Sequence, residues 1–382
     1  MEKGTVSVQL RANANPLAPY TLESLLEGAA RMRPDAVALG GDAALTFAKL
    51  AQRVAALAGR LAVVGLAPGE TVLVLAAPRT QTVVAVLAAS RLGLAAALAP
   101  LDAPPAAVAL MAGRINAVAI LAGGPYGTVQ PVETAFLAAS LSNSIRLIGL
   151  FEGDAGDGAV DLTPAACDGD SPAPHAVKPA QIITFERAAR HFTAVRHRPA
   201  TLVAAGLDLI TRCGLSVATP IVSTIAPASL AGLVAGPLAM LLCGAALHFH
   251  GPFDSTVLRR QLAACDPGHL LAPERTAAYF AASRLIEGHR LLLLSRWDAA
   301  GADFSPPHAL DANCPVTDLH AFGERALLAS PRDAAGRPCA ILDTPHLIEI
   351  GGETIVALAG EDSGDEGLVL SGAAVTLREP DA

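Results

Sequence analysis

The sequence predicts an α/β fold with two α/β lobes of mostly parallel sheet and a small antiparallel β subdomain. In the first two thirds of the chain, helical patterns alternate with short apolar runs, which is typical of parallel sheets covered by helices. In about the last sixty residues, short strand patterns are separated by Gly, Asp and Pro, which favours antiparallel pairing. A length of 382 residues, with 52% apolar and 16% charged residues, suits a globular chain of two or three units.

Three parts are predicted along the chain. Residues 1–175 form an N-terminal α/β lobe ending in a flexible linker, 176–320 a second α/β lobe, and 321–382 the small β subdomain. The linker is placed at 152–180 because this stretch is rich in Asp, Gly, Pro and Ala and has little apolar surface to bury.

The elements of the first lobe follow from capping residues and apolar periodicity. Thr21 is predicted to cap a helix with leucines on one face, and Thr46 a second helix that Gly65 ends. The run TVLVLAA at 71–77 is rich in β-branched residues and predicts a strand buried on both faces. The next helix should end at Gly93. Further elements of this lobe are predicted at 36–39, 80–92, 94–99 and 117–122.

One segment of the second lobe has the length of a membrane span. The run from Pro227 to Phe249 is uncharged and exceeds about 20 residues. Prolines and glycines interrupt it and alanine gains little from hydrocarbon, so a buried helix followed by a buried strand is predicted instead. Other strands of this lobe are predicted at 217–222, 245–249 and 291–294.

The composition also bears on partners and compartment. Lys plus Arg number 27 against 35 Asp plus Glu, for a net charge of −8, which gives no field that would attract nucleic acid. The first ten residues lack the apolar core of a secretion signal. Six cysteines without a Cys-x-x-Cys pair are typical of reduced thiols. We expect a cytoplasmic protein with no nucleic-acid partner and no membrane span.

Several motifs resemble a known family. They are RPDAVAL, LTFAKL, GLAPGETVLVL and SRLGLAAALAPLD within 21–103, and later segments continue in the family's order to about Thr376. The chain resembles the AMP-binding large domain of the adenylate-forming superfamily, which includes acyl-CoA synthetases, peptide-synthetase adenylation domains and luciferases. This implies an enzyme in which a carboxylate attacks the α-phosphate of ATP and the acyl adenylate passes to a thiol.

The segment of this sequence that departs most from the family is the phosphate loop. It reads roughly TSGTTGxPKG after an apolar strand, because small residues let backbone N–H groups wrap the polyphosphate. Here the strand is IIT at 182–184. A bulky ring and a carboxylate oppose a polyphosphate by sterics and repulsion, so we predict that the loop is lost. The degenerate positions are Thr184, Phe185, Glu186, Arg187, Arg190, Phe192 (at the lysine position) and Thr193.

The resemblance also implies a nucleotide pocket, and its residues are altered too. In the family's aromatic-Gly-x-Thr-Glu turn, Phe322 and Gly323 match, while Arg325 stands where Thr is expected and the magnesium carboxylate is missing. A local shift that returns Glu324 to the metal stays open. The adenine-facing turn is SRW, from Ser295 to Trp297, where the indole should fill the space of a purine.

Two further features follow from the resemblance. Ser229 and Gly232 are candidate residues of the acyl pocket between the lobes. The family continues into a mobile C-terminal domain with a catalytic lysine, and since the sequence ends at Ala382, that domain is expected to be absent.

A basic cluster interrupts the acidic chain. As a site it could bind an anion such as a phosphopantetheine or an acidic partner; a solvated helical face is the simpler interpretation. The cluster consists of Arg187, Arg190, His191, Arg196, His197 and Arg198.

The sequence therefore indicates a degenerate AMP-dependent synthetase/ligase-like protein that does not catalyse adenylation. It would bind an acyl or aryl small molecule or act as an accessory protein in acyl metabolism, with no catalytic residue, metal or cofactor. The alternative is an AMP-forming acyl-CoA ligase or adenylation enzyme that uses ATP and Mg²⁺ and is completed by a separate C-terminal domain. A protein partner or homo-oligomer also stays open.

Overall fold

The computed structural model describes residues 8–12, 17, 20–41, 43–151, 157–163, 180–188, 191–283, 285–297, 314–338, 346–350, 353–362 and 368–376. The chain forms two compact units. The N-terminal unit comprises Thr21–Pro199 and Ala226–Ser229, and the C-terminal unit comprises Met1–Tyr20, Ala200–Ile225 and Leu230–Ala382.

The described helices, in chain order, are α1 Leu22–Met32, α2 Phe47–Val63, α3 Thr80–Leu92, α4 Pro105–Arg114, α5 Pro131–Ser140, α6 Pro199–Cys213, α7 Leu230–Leu233, α8 Ala239–Cys243, α9 Ser255–Ala264 and α10 Ala277–Ser283. A π-helical segment, Val234–Leu238, joins α7 to α8, and a 3₁₀ turn, Glu274–Thr276, precedes α10.

The described strands are β1 Val8–Ala12, β2 Val37–Leu39, β3 Leu45–Thr46, β4 Thr71–Ala76, β5 Ala95–Pro100, β6 Ala117–Ala122, β7 Leu147–Leu150, β8 Val160–Asp161, β9 Ile182–Ala188, β10 His191–His197, β11 Ile221–Ser223, β12 Leu247–Phe249, β13 His269–Pro273, β14 Arg290–Trp297, β15 Val316–Phe322, β16 Ala326–Pro331, β17 His346–Ile350, β18 Glu353–Asp362 and β19 Leu368–Gly372.

A seven-stranded sheet organises the N-terminal unit. Its order is β10-β9-β5-β4-β6-β7-β8, and every neighbouring pair is parallel except β9 and β10. Strand β4 is buried along its whole length, as expected of a strand covered on both faces. One core cluster of this unit gathers side chains of β4, β5, β6, α4 and α5.

Two sets of strands organise the C-terminal unit. Six strands lie side by side in the order β16-β15-β14-β13-β11-β12, parallel throughout except for β15 and β16. A separate four-stranded sheet has the order β1-β19-β18-β17. It is antiparallel apart from β1, which joins β19 in parallel.

The predicted α/β fold class is confirmed, and so are several local signals. Thr21 forms a capping box with Ser24 at the start of α1, and the Thr46 hydroxyl accepts from the N–H of Lys49 at the start of α2. Helix α3 ends at Gly93, whose φ is 80°. Only a residue without Cβ adopts this left-handed conformation easily, so the glycine marks the helix end in the sequence.

The boundaries of the two units differ from the domain boundaries that the sequence predicts. Strands β9 and β10 belong to the first sheet rather than to a lobe that begins at 176. Strands β15 and β16 extend the second set of strands, although 321–382 was assigned to the small subdomain. Strand β8 pairs with β7 inside the stretch assigned to a linker; residues 152–156 and 164–179 lie outside the described part. Long-range strand pairing, which local composition does not encode, decides these boundaries.

The long apolar run of the second lobe is a buried helix followed by a strand, as predicted. Leu230 to Cys243 is helical through α7, the π-helical segment and α8, and β12 follows. Gly244 ends the helix with a φ of 78°. Among the described residues, no helix has the length and apolar character needed to cross a membrane.

Candidate functional site

A β-hairpin stands where the phosphate loop was expected. Strands β9 and β10 pair in antiparallel register from Ile182 with His197 to Ala188 with His191, without a break. Only two residues, 189 and 190, separate the last pair, and they lie outside the described part, as does the predicted loop residue Arg190. In the family, this segment wraps a polyphosphate; here its described residues form a regular antiparallel ladder.

The two aromatic rings of this hairpin point into the core of the N-terminal unit. Phe185 is 6% exposed and belongs to the cluster formed with α4 and α5, and the half-buried Phe192 packs against the same cluster. Their predicted opposition to a polyphosphate stays a prediction. Because alternate strand residues face opposite sides of a sheet, Phe185 shares a face with the buried Ile183 and supplies core packing.

The opposite face of the hairpin carries a buried polar pair. Thr184 Oγ1 lies 2.8 Å from His197 Nε2, and both side chains are 0% exposed. Burial lowers the pKa of His197 to about 3, so the ring is neutral at physiological pH. The hydroxyl that would open a phosphate loop is thereby engaged inside the sheet.

The remaining hairpin residues have mixed environments. Glu186 and Thr193 face each other across the ladder, and both are half-buried, whereas Arg187 is exposed. The basic cluster does not lie on a helical face: Arg187, His191, Arg196 and His197 are on strands β9 and β10, Arg198 follows β10, and Arg190 lies outside the described part. His197 is buried and is not a solvated cation. Strand periodicity over 193, 195 and 197 is the signal that would have found His197.

The sequence SRW is part of a strand rather than a turn. Strand β14 continues through Trp297, which pairs with Phe322 at the end of β15. Ser295 is 8% exposed and pairs with His320. The side chain of Trp297 lies outside the described part, so its predicted place in the purine space stays a prediction.

The turn between β15 and β16 directs its carboxylate to a helix. Gly323 has a φ of 55°, and the following Glu324 is 7% exposed. Its Oε2 accepts a hydrogen bond from the Leu230 N–H at 2.5 Å. A carboxylate at a helix N-terminus satisfies an otherwise unpaired amide and interacts favourably with the helix dipole. This hydrogen bond to Leu230 therefore competes with the suggested binding of a metal ion by Glu324.

The other altered turn residue, Arg325, is half-buried, and its carbonyl accepts from the Thr376 N–H at 2.8 Å. The expected motif residues Phe322, Gly323 and Arg325 thus come together in one hairpin turn, as the sequence order requires.

The candidate acyl-pocket residues lie at the start of the helix that Glu324 caps. Ser229 is 2% exposed and immediately precedes α7, and Gly232 is buried within the first turn. Their proximity in sequence brings them to the same helix end. Their role toward an acyl group stays a prediction.

The loss of ATP and Mg²⁺ binding stays a prediction, and three features of the expected nucleotide site bear on it. Alternate residues of β9 and β10 direct their amides into the ladder, the Thr184 hydroxyl is engaged, and Phe192 occupies the lysine position. The described ranges hold no group of three His, Cys, Asp or Glu side chains able to bind a metal ion.

Known proteins are similar to this chain in fold and, over part of its length, in sequence. A family model described as AMP-binding enzyme matches residues 26–184. This match covers less than half of the chain. This region spans the N-terminal sheet up to Thr184 in β9, so the match ends where the hairpin replaces the loop. No curated protein matches the sequence.

Solved structures of adenylate-forming enzymes share the fold over almost the entire chain. MbtA from Mycobacterium smegmatis superposes with a TM-score of 0.70 at 17% identity, over 94% of this chain and 68% of that one. A putative long-chain-fatty-acid CoA ligase from Rhodopseudomonas palustris gives 0.71 at 16% identity, over 94% and 89%. The anthranilate CoA ligase AuaEII, in complex with anthranoyl-AMP, gives 0.73 at 14% identity, over 95% and 71%. At these identities, the likenesses establish the fold alone.

Proposed function

We propose that this protein has the fold of the adenylate-forming enzymes without forming acyl adenylates, and that it serves acyl metabolism as an accessory protein that binds an acyl or aryl carboxylate. The observation that carries the proposal is the β9–β10 hairpin, with Thr184 bonded to His197 inside it.

Phosphate chemistry supports the proposal. A polyphosphate is held by backbone amides that point at it from a loop or a helix N-terminus. In the hairpin, the described residues on both sides of 189–190 are paired strand to strand. Forming a loop would break this ladder, remove Phe185 from the core and separate the buried Thr184–His197 pair. Each of these changes costs free energy that phosphate binding would have to offset.

The retained fold supports the ligand-binding half of the proposal. AuaEII, which shares the fold over most of the chain, holds an aryl acyl adenylate in its solved structure. The buried Ser229 and Gly232 stand at the positions that the family resemblance predicts for the acyl pocket. A protein that has lost its phosphate loop and kept this helix end would bind the acid without activating it.

ATP–pyrophosphate exchange with a panel of aryl and fatty acids tests the catalytic half. We expect no exchange, with an active acid–CoA ligase of the same fold as the positive control. Exchange by the purified chain, alone or with an added C-terminal domain of an active ligase, would overturn the proposal and support the ligase alternative.

Thermal unfolding tests binding separately. Under the ligase alternative, ATP with Mg²⁺ at about a hundred times its Kd should stabilise the fold by about 2.7 kcal/mol; we expect no such shift. An acid of the panel should raise Tm without ATP, and Gly232→Leu should abolish that rise. If no acid raises Tm, or if Gly232→Leu leaves the rise intact, the ligand-binding half is wrong.

A further inference from the structure

Two helices of the N-terminal unit have an apolar, exposed outer face. Helices α4 and α5 pack side by side on one face of the sheet, and their inner residues join one core cluster with β4, β5 and β6. On the side away from this cluster, Leu110 of α4 is 64% exposed, and Leu137 in α5 and Leu141 just after it are 55% and 63% exposed. Exposed leucines on neighbouring helices are typical of a surface that binds another molecule.

The exposed residues of α4 form a row with opposite charges at its ends. Asp102, in the turn before the helix, is followed at intervals of four residues by Ala106, Leu110 and Arg114, and all four are exposed. Residues four apart lie on one face of a helix. No residue between Asp102 and Arg114 is charged, and neither of the two forms an ion pair with a described residue. The row therefore consists of an acid, a small residue, a large apolar residue and a base.

This row is complementary to a reversed copy of itself. Positions 102 and 114 are equally far from residue 108, and so are positions 106 and 110. If two copies of α4 pack antiparallel about a two-fold axis at residue 108, Asp102 of each copy faces Arg114 of the other, and Leu110 faces the small Ala106. Opposite charges fix the orientation of an interface, and a large side chain opposite a small one lets facing helices interdigitate. A two-fold interface requires this self-complementarity.

We propose that the outer face of α4 and α5 is an interface between two copies of this chain, in which α4 packs antiparallel against α4 of the second copy. The exposed Leu137 and Leu141 extend the apolar area beside α4. An anionic membrane surface suits this face less well, because it would repel the exposed acids Asp102 and Glu133.

The concentration dependence of the mass tests the interface. In sedimentation equilibrium of the full chain from about 1 to about 100 μM, the range of a weak dimer, we expect a monomer–dimer equilibrium. Leu110→Glu places a carboxylate in the apolar contact and should raise the dimer Kd about tenfold or more. Val63→Glu is the matched control, because this side chain at the end of α2 is 66% exposed and lies outside the face. A chain that stays monomeric, or a dimer that Leu110→Glu leaves intact, overturns the proposal.

An exchange of charges tests the antiparallel arrangement. Asp102→Arg and Arg114→Asp each place like charges opposite each other, so each should raise the dimer Kd about tenfold. The double variant restores opposite charges and should return the Kd to within about threefold of the wild type. Within one chain the two residues are separated by the length of α4, about 15 Å, so this rescue has to come from the second copy.

The same two charges also suit the dipole of α4, with the acid at its N-terminal end and the base at its C-terminal end. That effect acts within each chain, so the losses of stability from the two single variants should add in the double variant, whereas the dimer should return. Thermal unfolding measured beside the dimer Kd separates the two effects. A double variant that does not restore the dimer overturns the proposal. Neither measurement involves ATP or an acid ligand, so this interface and the proposed function fail independently.

Discussion

Thr184 and His197 form a hydrogen bond 2.8 Å long across the β9–β10 hairpin, with both side chains fully buried. Thr184 is the position that the sequence aligns with the opening of a phosphate loop. The bond ties this position in β9 to β10, the outermost strand of the sheet.

Removing the Thr184 hydroxyl should destabilise the protein. Thr184→Val has nearly the same volume, but it leaves His197 Nε2 buried without this partner, which costs about 1–3 kcal/mol. Thr184→Ser keeps the hydroxyl and should unfold closer to the wild type. Denaturant unfolding of the three proteins measures the difference. A Val variant as stable as the wild type would show that the bond contributes nothing.

Stability should fall as the pH falls below about 6.5. Burial lowers the pKa of His197 to about 3 and those of His269 and His320 to about 4. The unfolded chain binds protons below about 6.5 and the native chain does not, so unfolding becomes easier toward acid. The effect is absent above pH 7 and grows down to about pH 3.

His197→Gln isolates one of these groups. Near pH 5.5, the unfolding free energy of the variant should change with pH by about 1 kcal/mol per pH unit less than that of the wild type. Above pH 7, the two curves of unfolding free energy against pH should be parallel. Urea unfolding at half-unit pH intervals gives both curves. Identical slopes between pH 5 and 6 would show that His197 is not a buried neutral group.

Truncating Phe185 should damage the core without opening a nucleotide site. Phe185→Ala leaves a cavity in the cluster with α4 and α5 and should cost about 3–5 kcal/mol. Phe253→Ala is the matched control, because 59% of that ring is exposed and its loss should cost much less. Neither variant should gain a thermal shift with ATP and Mg²⁺. An ATP-dependent shift in Phe185→Ala alone would place the ring in a nucleotide cleft after all.

The Glu324 carboxylate should stabilise the helix that starts at Leu230. Glu324→Ala removes the acceptor for the Leu230 N–H and should lower the unfolding free energy by about 1–3 kcal/mol. Glu324→Gln keeps an acceptor oxygen and should lose less. Glu287→Ala, at an exposed position, should stay within about 0.5 kcal/mol of the wild type. The idea that Glu324 serves a metal instead would be supported if Glu324→Ala abolished Mg²⁺ binding without changing stability.

Much of the local structure follows from the sequence because its causes are local. Thr21 and Thr46 carry the side-chain oxygen that a helix start requires, and Gly93 tolerates the positive φ at a helix end. The apolar run of β4 predicted a strand buried on both faces, which is what the sheet contains. The family resemblance, carried by motifs in the first hundred residues, likewise led to the correct fold.

The sequence alone could not predict the structure of the candidate site, because that structure depends on pairing between distant residues. By the family resemblance, Phe185, Glu186 and Phe192 stand at positions of a phosphate loop, but the resemblance does not show where their side chains lie. The chain uses the same residues to extend a sheet by a hairpin, which turns alternate side chains to opposite faces. In the same way, the approach of Glu324 to Leu230 depends on the turn between β15 and β16.

By itself, the sequence determined the fold class, the helix ends and the absence of glycine from residues 184–193, because propensities, caps and missing small residues act over a few positions. The tertiary structure alone decided what stands in the loop's place, which rings enter the core and which buried histidine bonds to Thr184. Those outcomes depend on strand register and burial, and both arise only when segments far apart in the chain pack together.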